Sequence, residues 1–144
     1  MALRLQSSKT TIEHCSDCIR HNDPLDSLTL STHALRQNVD FIVARAFLLR
    51  PYLLEIEMRG AARIACARQV AMYLVHVCCG LSHSEVGRIF GRDRTTAAHA
   101  ASLVEERRED ATFDHIVETL ERALQATLRR LAACLLYTSP SPRD

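Results

Sequence analysis

The sequence predicts an all-α helical bundle, and three observations carry that reading. Hydrophobic residues make up 47% of the chain while aromatics are only 5% and tryptophan is absent, so the core must be aliphatic, which suits packed helices better than a sandwich of sheets. Glycine and proline number four each in 144 residues, too few for the many turns of a sheet protein. From position 31 onward, apolar residues recur at steps of three and four rather than two.

The elements follow in order. Residues 1–30 show no sustained period and contain Asn22-Asp23-Pro24, a turn signal, and are read as a mobile N-terminal arm. A helix is expected from Ser31 or Thr32, with Leu35, Val39, Ile42, Ala46 and Leu49 on one stripe and Pro51 as its end. A short helical piece is expected over residues 53–58, broken by Gly60. A third helix over residues 63–79 presents Val70, Ala71, Leu74, Val77 and Cys78, and Gly80 stands where a left-handed C-terminal cap belongs. Ser82-x-x-Glu85 has the form of a capping box and opens a short helix that buries Val86, Ile89 and Phe90 and stops at Gly91. Asp93 is placed to cap the next helix, which carries Thr95, Thr96, His99, Leu103 and Val104. A last helix begins near Thr112 with Ile116, Val117, Leu120, Leu124, Leu128 and Leu131 at helical spacing, acids leading and Arg129 and Arg130 closing, as the helix dipole favours. The helical domain is therefore expected over residues 31–133.

Residues 134–144 fit none of this. They resemble the translation of a sequencing-library adapter and are set aside, which leaves the natural C-terminus expected to be missing.

The formal charge of +1 hides a segregation. Between positions 59 and 99, Arg59, Arg63, Arg68, Arg88, Arg92 and Arg94 face only Glu85 and Asp93, while acids gather from Glu105 to Glu121. A basic middle beside an acidic C-terminal part is the footprint of a nucleic-acid binder at the level of sequence. Lys9 is the single lysine, and arginine supplies the planar fork that phosphates and guanine edges accept.

Other function classes find less support. No window reaches the roughly 18 apolar residues of a membrane span, and no signal peptide is expected at the start. Adjacent Cys78 and Cys79 inside an apolar helix read as small buried side chains, which points to a reduced cytoplasm. His14-Cys15-x-x-Cys18-x-x-His21 holds four zinc-type ligands, but so close together that little chain is left to form a tetrahedron, so no metal site is assigned. No nucleophile, base and acid can be placed on common elements, so an enzyme is not expected, and no cofactor is.

Three helices in succession, the middle one short and joined by a tight glycine turn to the third, make a helix-turn-helix over residues 68–106. Such a motif projects its last helix into a major groove and presents short polar or forked side chains to base edges. Here that first turn reads Arg92-Asp93-Arg94-Thr95-Thr96, followed by Ala97, Ala98, Ala100 and Ala101, small enough for close approach to DNA or to the supporting helices. His99 is balanced between a phosphate contact and a buried structural imidazole, leaning to the latter.

Residues 67–74 (Ala-Arg-Gln-Val-Ala-Met-Tyr-Leu), Gly80-Leu81-Ser82 and residues 85–100 (Glu-Val-Gly-Arg-Ile-Phe-Gly-Arg-Asp-Arg-Thr-Thr-Ala-Ala-His-Ala) resemble the C-terminal DNA-binding domain of the bacterial replication initiator DnaA, over residues 62–106. The resemblance implies base reading by Asp93, Arg94 and Thr95, and backbone or edge contacts by Arg68, Gln69, Thr96 and His99; Arg92, in the same first turn, is a further candidate for DNA binding. It implies a minor-groove reach by Arg59 or Arg63. The partner implied is double-stranded DNA with a DnaA-box-like site, read in the cytoplasm on the nucleoid by a transcription regulator or a modulator of replication initiation.

Three departures bear on the target sequence: a single glycine, Gly91, stands where the family has a pair, Arg94 stands for its usual histidine, and Ala97 for its usual valine, which loses a contact with a thymine methyl. No GxxxxGK[ST] phosphate loop occurs in the chain, so a short stand-alone relative without the ATPase part is expected. The competing reading is a helical protein-interaction adaptor that has kept the fold and lost DNA binding. A homodimer through the first or last helix is compatible with either.

Overall fold

The computed structural model describes residues 32–56 and 61–137, with side chains to 134, and every regular element in them is a helix. They are α1 (Thr32–Ala46), α2 (Tyr52–Glu55), α3 (Ala62–Cys79), α4 (His83–Phe90), α5 (Arg94–Arg107) and α6 (Ala111–Tyr137). The expected arm at 1–30 lies outside the described residues, and of the tail set aside from 134, α6 continues through Tyr137 while the rest lies outside them.

α3 is the axis of the bundle. It packs against each of the other five helices, and Ala67 and the unbroken run from Val70 to Val75 are buried. A helix covered on several sides has no solvent face to mark with polar residues, so its apolar positions lose their single stripe. That is why Met72, Tyr73 and Val75 join the core beside the expected Val70, Ala71 and Leu74, while Val77 and Cys78 are only half-buried. Burial pushes the Cys79 thiol up to about 11, so it is a protonated, small apolar side chain at neutral pH.

α1 ends at Ala46, short of Pro51. Leu48 takes a left-handed conformation with φ 54°, and the Leu49 amide donates back to the Ala44 carbonyl at 2.8 Å, closing the helix as a C-terminal glycine would. The buried face of α1 is Leu35, Val39, Val43 and Ala44, and Ala46, expected on the stripe, is exposed. α2 is a single turn.

The caps that flank α4 are those the sequence specifies. Gly80 and Gly91 are left-handed at φ 64° and 63°. The Ser82 amide donates to Glu85 Oε2 at 2.8 Å and the Glu85 amide to Ser82 Oγ at 3.3 Å, completing the capping box. α6 has a cap of its own, Asp110 Oδ1 accepting from the amides of Thr112 and Phe113 at 2.8 and 3.1 Å.

The α6 stripe is spent inside the chain: Val117, Leu120 and Leu124 are buried against α1 and α3, and Ile116 faces outward. A polar knot fixes α6 and α5 to the axis. Tyr73 OH donates to Glu105 Oε1 at 2.6 Å, and Arg108 donates to Tyr73 OH, Asp114 and Glu121 at 2.8, 2.6 and 2.8 Å. No helix among the described residues is long and apolar enough to cross a membrane.

A close backbone approach lies at Gly87 of α4, where an added Cβ would stand 2.6 Å from the Arg92 carbonyl oxygen. Gly87→Ala is expected to destabilise the fold by about 1–3 kcal/mol through overpacking against backbone. Urea unfolding of the two proteins checks it, and equal midpoints would refute the close approach.

Candidate nucleic-acid interface

α4, the Gly91-Arg92-Asp93 turn and α5 form the projecting unit. α4 closes with the Gly91 amide on the Arg88 carbonyl at 3.3 Å and the Arg92 amide on the Gly87 carbonyl at 2.8 Å, a Schellman arrangement that reverses the chain within two residues. α5 then packs Ala97, Ala100, Ala101 and Val104 inward. Three alanines in that row let the helix lie close to α3 and α4. Ala97, which stands where the resemblance has a valine facing a thymine methyl, is 2% exposed, so it belongs to the support and not to the exposed face.

The opposite face opens to solvent. Arg92, Asp93, Arg94, Thr95, Thr96 and His99 are all exposed, and His99 follows Thr95 by one helical turn. The exposure of His99 overturns its reading as a buried imidazole. Asp93 occupies the N-cap position with extended backbone, but its side chain makes no cap hydrogen bond, so the expected capping role is not filled and the carboxylate faces outward. The first amides of a helix have no intrahelical acceptors and favour an incoming phosphate. The acids of this helix lie at its other end: Glu106 is about 18 Å along the axis from Arg94 at 1.5 Å per residue.

The remaining candidates are placed differently. Arg63 is exposed in the first turn of α3, and Arg59 lies outside the described residues. Gln69 is half-buried with its Oε1 shielded and unpartnered. Arg68, expected to contact backbone or base edges, makes its bonds within the chain. Its guanidinium turns back to the end of α2, donating to the carbonyls of Leu54 at 3.2 Å, Leu53 at 2.9 Å and Ile56, where it occupies the acceptors that a one-turn helix leaves open.

Arg36 and Asp40 of α1 were missed. With Arg68 and Arg92, Arg36 lines a cleft of about 210 Å³ behind the α4–α5 turn, walled also by Leu54, Glu55, Met72, Phe90 and Gly91. The signal was a carboxylate beside Val39 in the middle of an apolar stripe. Burial, followed by the charges of Arg92 and Arg36, lowers the Arg68 pKa from its ordinary value, leaving the guanidinium charged at any physiological pH.

At the other end of α4, the His83 ring stacks on His76 with centroids 4.1 Å apart. His76 Nδ1 donates to the Leu81 carbonyl at 2.6 Å, and His83 Nε2 is shielded without a partner. Burial, then the neighbouring His76 and Arg94, depress the His83 pKa. No group of three or more metal-type ligands occurs among the described residues; the Cys15 and Cys18 cluster lies outside them.

Residues 37–104 match the family of the bacterial dnaA protein helix-turn-helix. The segment resembles the DnaA DNA-binding domain. The DnaA-like match begins inside α1 and ends in α5, so it takes in the later part of α1 and all of α2, upstream of the residues 62–106 that carried the resemblance in the sequence. A domain of this type binds DNA and is not catalytic.

Two outcomes are expected. Arg68→Ala leaves the α2 carbonyls without their donor and is expected to cost about 1–3 kcal/mol in urea unfolding; unchanged stability would show that the guanidinium is not needed there. Because the folded His83 pKa lies below the usual value of 6.5, its contribution is complete above that pH and is lost as pH falls through the depressed value. His83→Gln should therefore flatten the fall of stability below pH 6.5 seen by denaturant unfolding, and an identical pH profile would refute the assignment.

Proposed function

We propose that the protein is a sequence-specific double-stranded DNA binder that reads a DnaA-box-like site with the first turn of α5. The observation that carries this reading is the exposure of Arg92 and Asp93 in the turn and of Arg94, Thr95, Thr96 and His99 on α5, a helix whose other face is buried through alanines. Arg94 has the fork for the N7 and O6 acceptors of a guanine, and Asp93 the acceptor for a cytosine amine. Thr95 offers a methyl to a thymine and a hydroxyl to a phosphate. Arg92, Thr96, His99 and the α5 amides hold the flanking backbone, Gln69 an edge of the site, and Arg63 or Arg59 the neighbouring minor groove.

The working unit under this proposal is residues 31–133, with 1–30 as an arm. Binding places the protein on the bacterial nucleoid, as a transcription regulator or a modulator of replication initiation. The adaptor reading is less well supported, because a surface freed from DNA has no need to keep Arg-Asp-Arg-Thr-Thr exposed at a helix start. A homodimer would have to use surfaces other than Val117, Leu120 and Leu124 of α6, which are buried within the chain.

In vitro selection of bound duplexes, followed by fluorescence anisotropy across a salt series, tests the proposal. Affinity for the selected duplex should fall linearly with log salt as arginines displace counterions. Arg94→Ala should lose about 1–3 kcal/mol of discrimination at one base position. Equal affinity of the wild-type protein for selected and scrambled duplexes would sink the reading.

A further inference from the structure

α4 ends with two of its last carbonyls already taken, Arg88 by the Gly91 amide and Gly87 by the Arg92 amide. The next one, Ile89, has no donor of its own in such a cap. It receives one from another helix: Arg36 Nη1 of α1 donates to the Ile89 carbonyl at 3.1 Å. The same guanidinium lies 4.8 Å from the centre of the Phe90 ring, a cation–π contact with the last residue of α4. Its Nε donates to Asp40 Oδ2 at 3.1 Å, one turn further along α1.

Asp40 is the charged side chain buried among the described residues, 2% exposed between Val39 and the rest of the α1 core face. A buried carboxylate is costly, and exchanging a buried ion pair for apolar side chains is often neutral or stabilising. Stability alone therefore gives no reason to keep a charge at this position. What the pair does supply is direction: Asp40 fixes the rotation of the guanidinium, and the guanidinium grips the backbone two residues before the left-handed glycine from which α5 departs.

We infer that Arg36, oriented by Asp40, is a positioning residue that sets the angle at which α5 leaves the α4–α5 turn and so determines how sharply its first turn discriminates one base sequence from another. The inference rests on the DNA-reading role of α5. Arg36 itself acts from behind the turn, through the Ile89 carbonyl and the Phe90 ring, so its contribution is to geometry and not to phosphate neutralisation. A small rotation there moves the side chains of Arg94 and Thr95 off the base edges they address, and forked contacts tolerate only about half an ångström of misplacement.

The test uses the full chain with Arg36→Met/Asp40→Leu, which removes the grip and leaves no buried charge behind, and Arg36→Lys, which keeps the charge but not the planar fork. Amide hydrogen exchange at Gly91 and Arg92 is measured without DNA, together with thermal unfolding. The duplex selected by the wild-type protein and its scrambled counterpart are then titrated across salt.

In the double variant the unfolding temperature should change little, because the lost donor to the Ile89 carbonyl is offset by removal of the buried Asp40 carboxylate. The two amides should exchange faster, and the selected-over-scrambled affinity ratio should fall by about tenfold, the scale of one lost forked base contact, at an unchanged salt slope. Arg36→Lys should fall between the two. Unchanged exchange, an unchanged ratio, or a salt slope smaller by about one, which would make Arg36 a phosphate ligand, each overturns the inference. If the wild-type protein selects no duplex, it is the DNA reading that fails, and the exchange data still decide whether Arg36 holds the turn.

Discussion

Everything on the exposed side of this molecule depends on the absence of a side chain at Gly87. The Arg92 carbonyl comes so near that backbone of α4 that a methyl group would meet it at 2.6 Å. Because the turn can fold that tightly, the chain reverses within Gly91, Arg92 and Asp93 and α5 starts directly beside α4. A looser turn would carry the arginines and threonines of α5 away from the α3 axis, and the alanine row on its inner face would have nothing to rest on.

The same economy of space runs through the support. Ala97, Ala100 and Ala101 contribute little area each, so their value lies in letting the α5 backbone approach α3 and α4 closely. Larger residues, Val104 on α5 with Leu74, Val117 and Leu124 on the helices behind it, fill the space deeper in. The Tyr73–Arg108 knot then fixes the far end of α5 through charge-assisted hydrogen bonds to Asp114 and Glu121. The recognition-type helix is thus held at both ends by different means: tight backbone at its start, and a polar network at its finish.

What could be read from the sequence was what local chemistry decides. Gly80, Gly91 and the Ser82–Glu85 pair act on backbone groups within a turn of themselves, so their residue types already imply their geometry. The aliphatic composition fixed the class of fold for the same reason. Arg68 was illegible because its destination is set by α2, an element far too short to announce open carbonyls in advance. Leu48 performs a stop that normally takes glycine, so Pro51 drew the boundary instead. Arg36 reaches Ile89 across 53 positions, and only Asp40, a charge out of place on an apolar stripe, hinted that α1 carried anything besides packing. The outward face of α5 was legible as a group, but the split between Ala97 turned in and His99 turned out required the helix phase that the structure supplies.

The distribution of charge along α5 has a consequence before any contact is made. Arg92 and Arg94 outnumber Asp93 at its beginning, whereas at its end Glu105 and Glu106 are offset by Arg107 and Arg108, so the positive excess sits at the start of the helix. A polyanion near that start is attracted, and the balanced charges at the other end lie further off than the screening distance of about 8 Å in physiological salt. Under the proposed DNA reading, that local excess would draw a duplex toward the start of α5 before any contact forms.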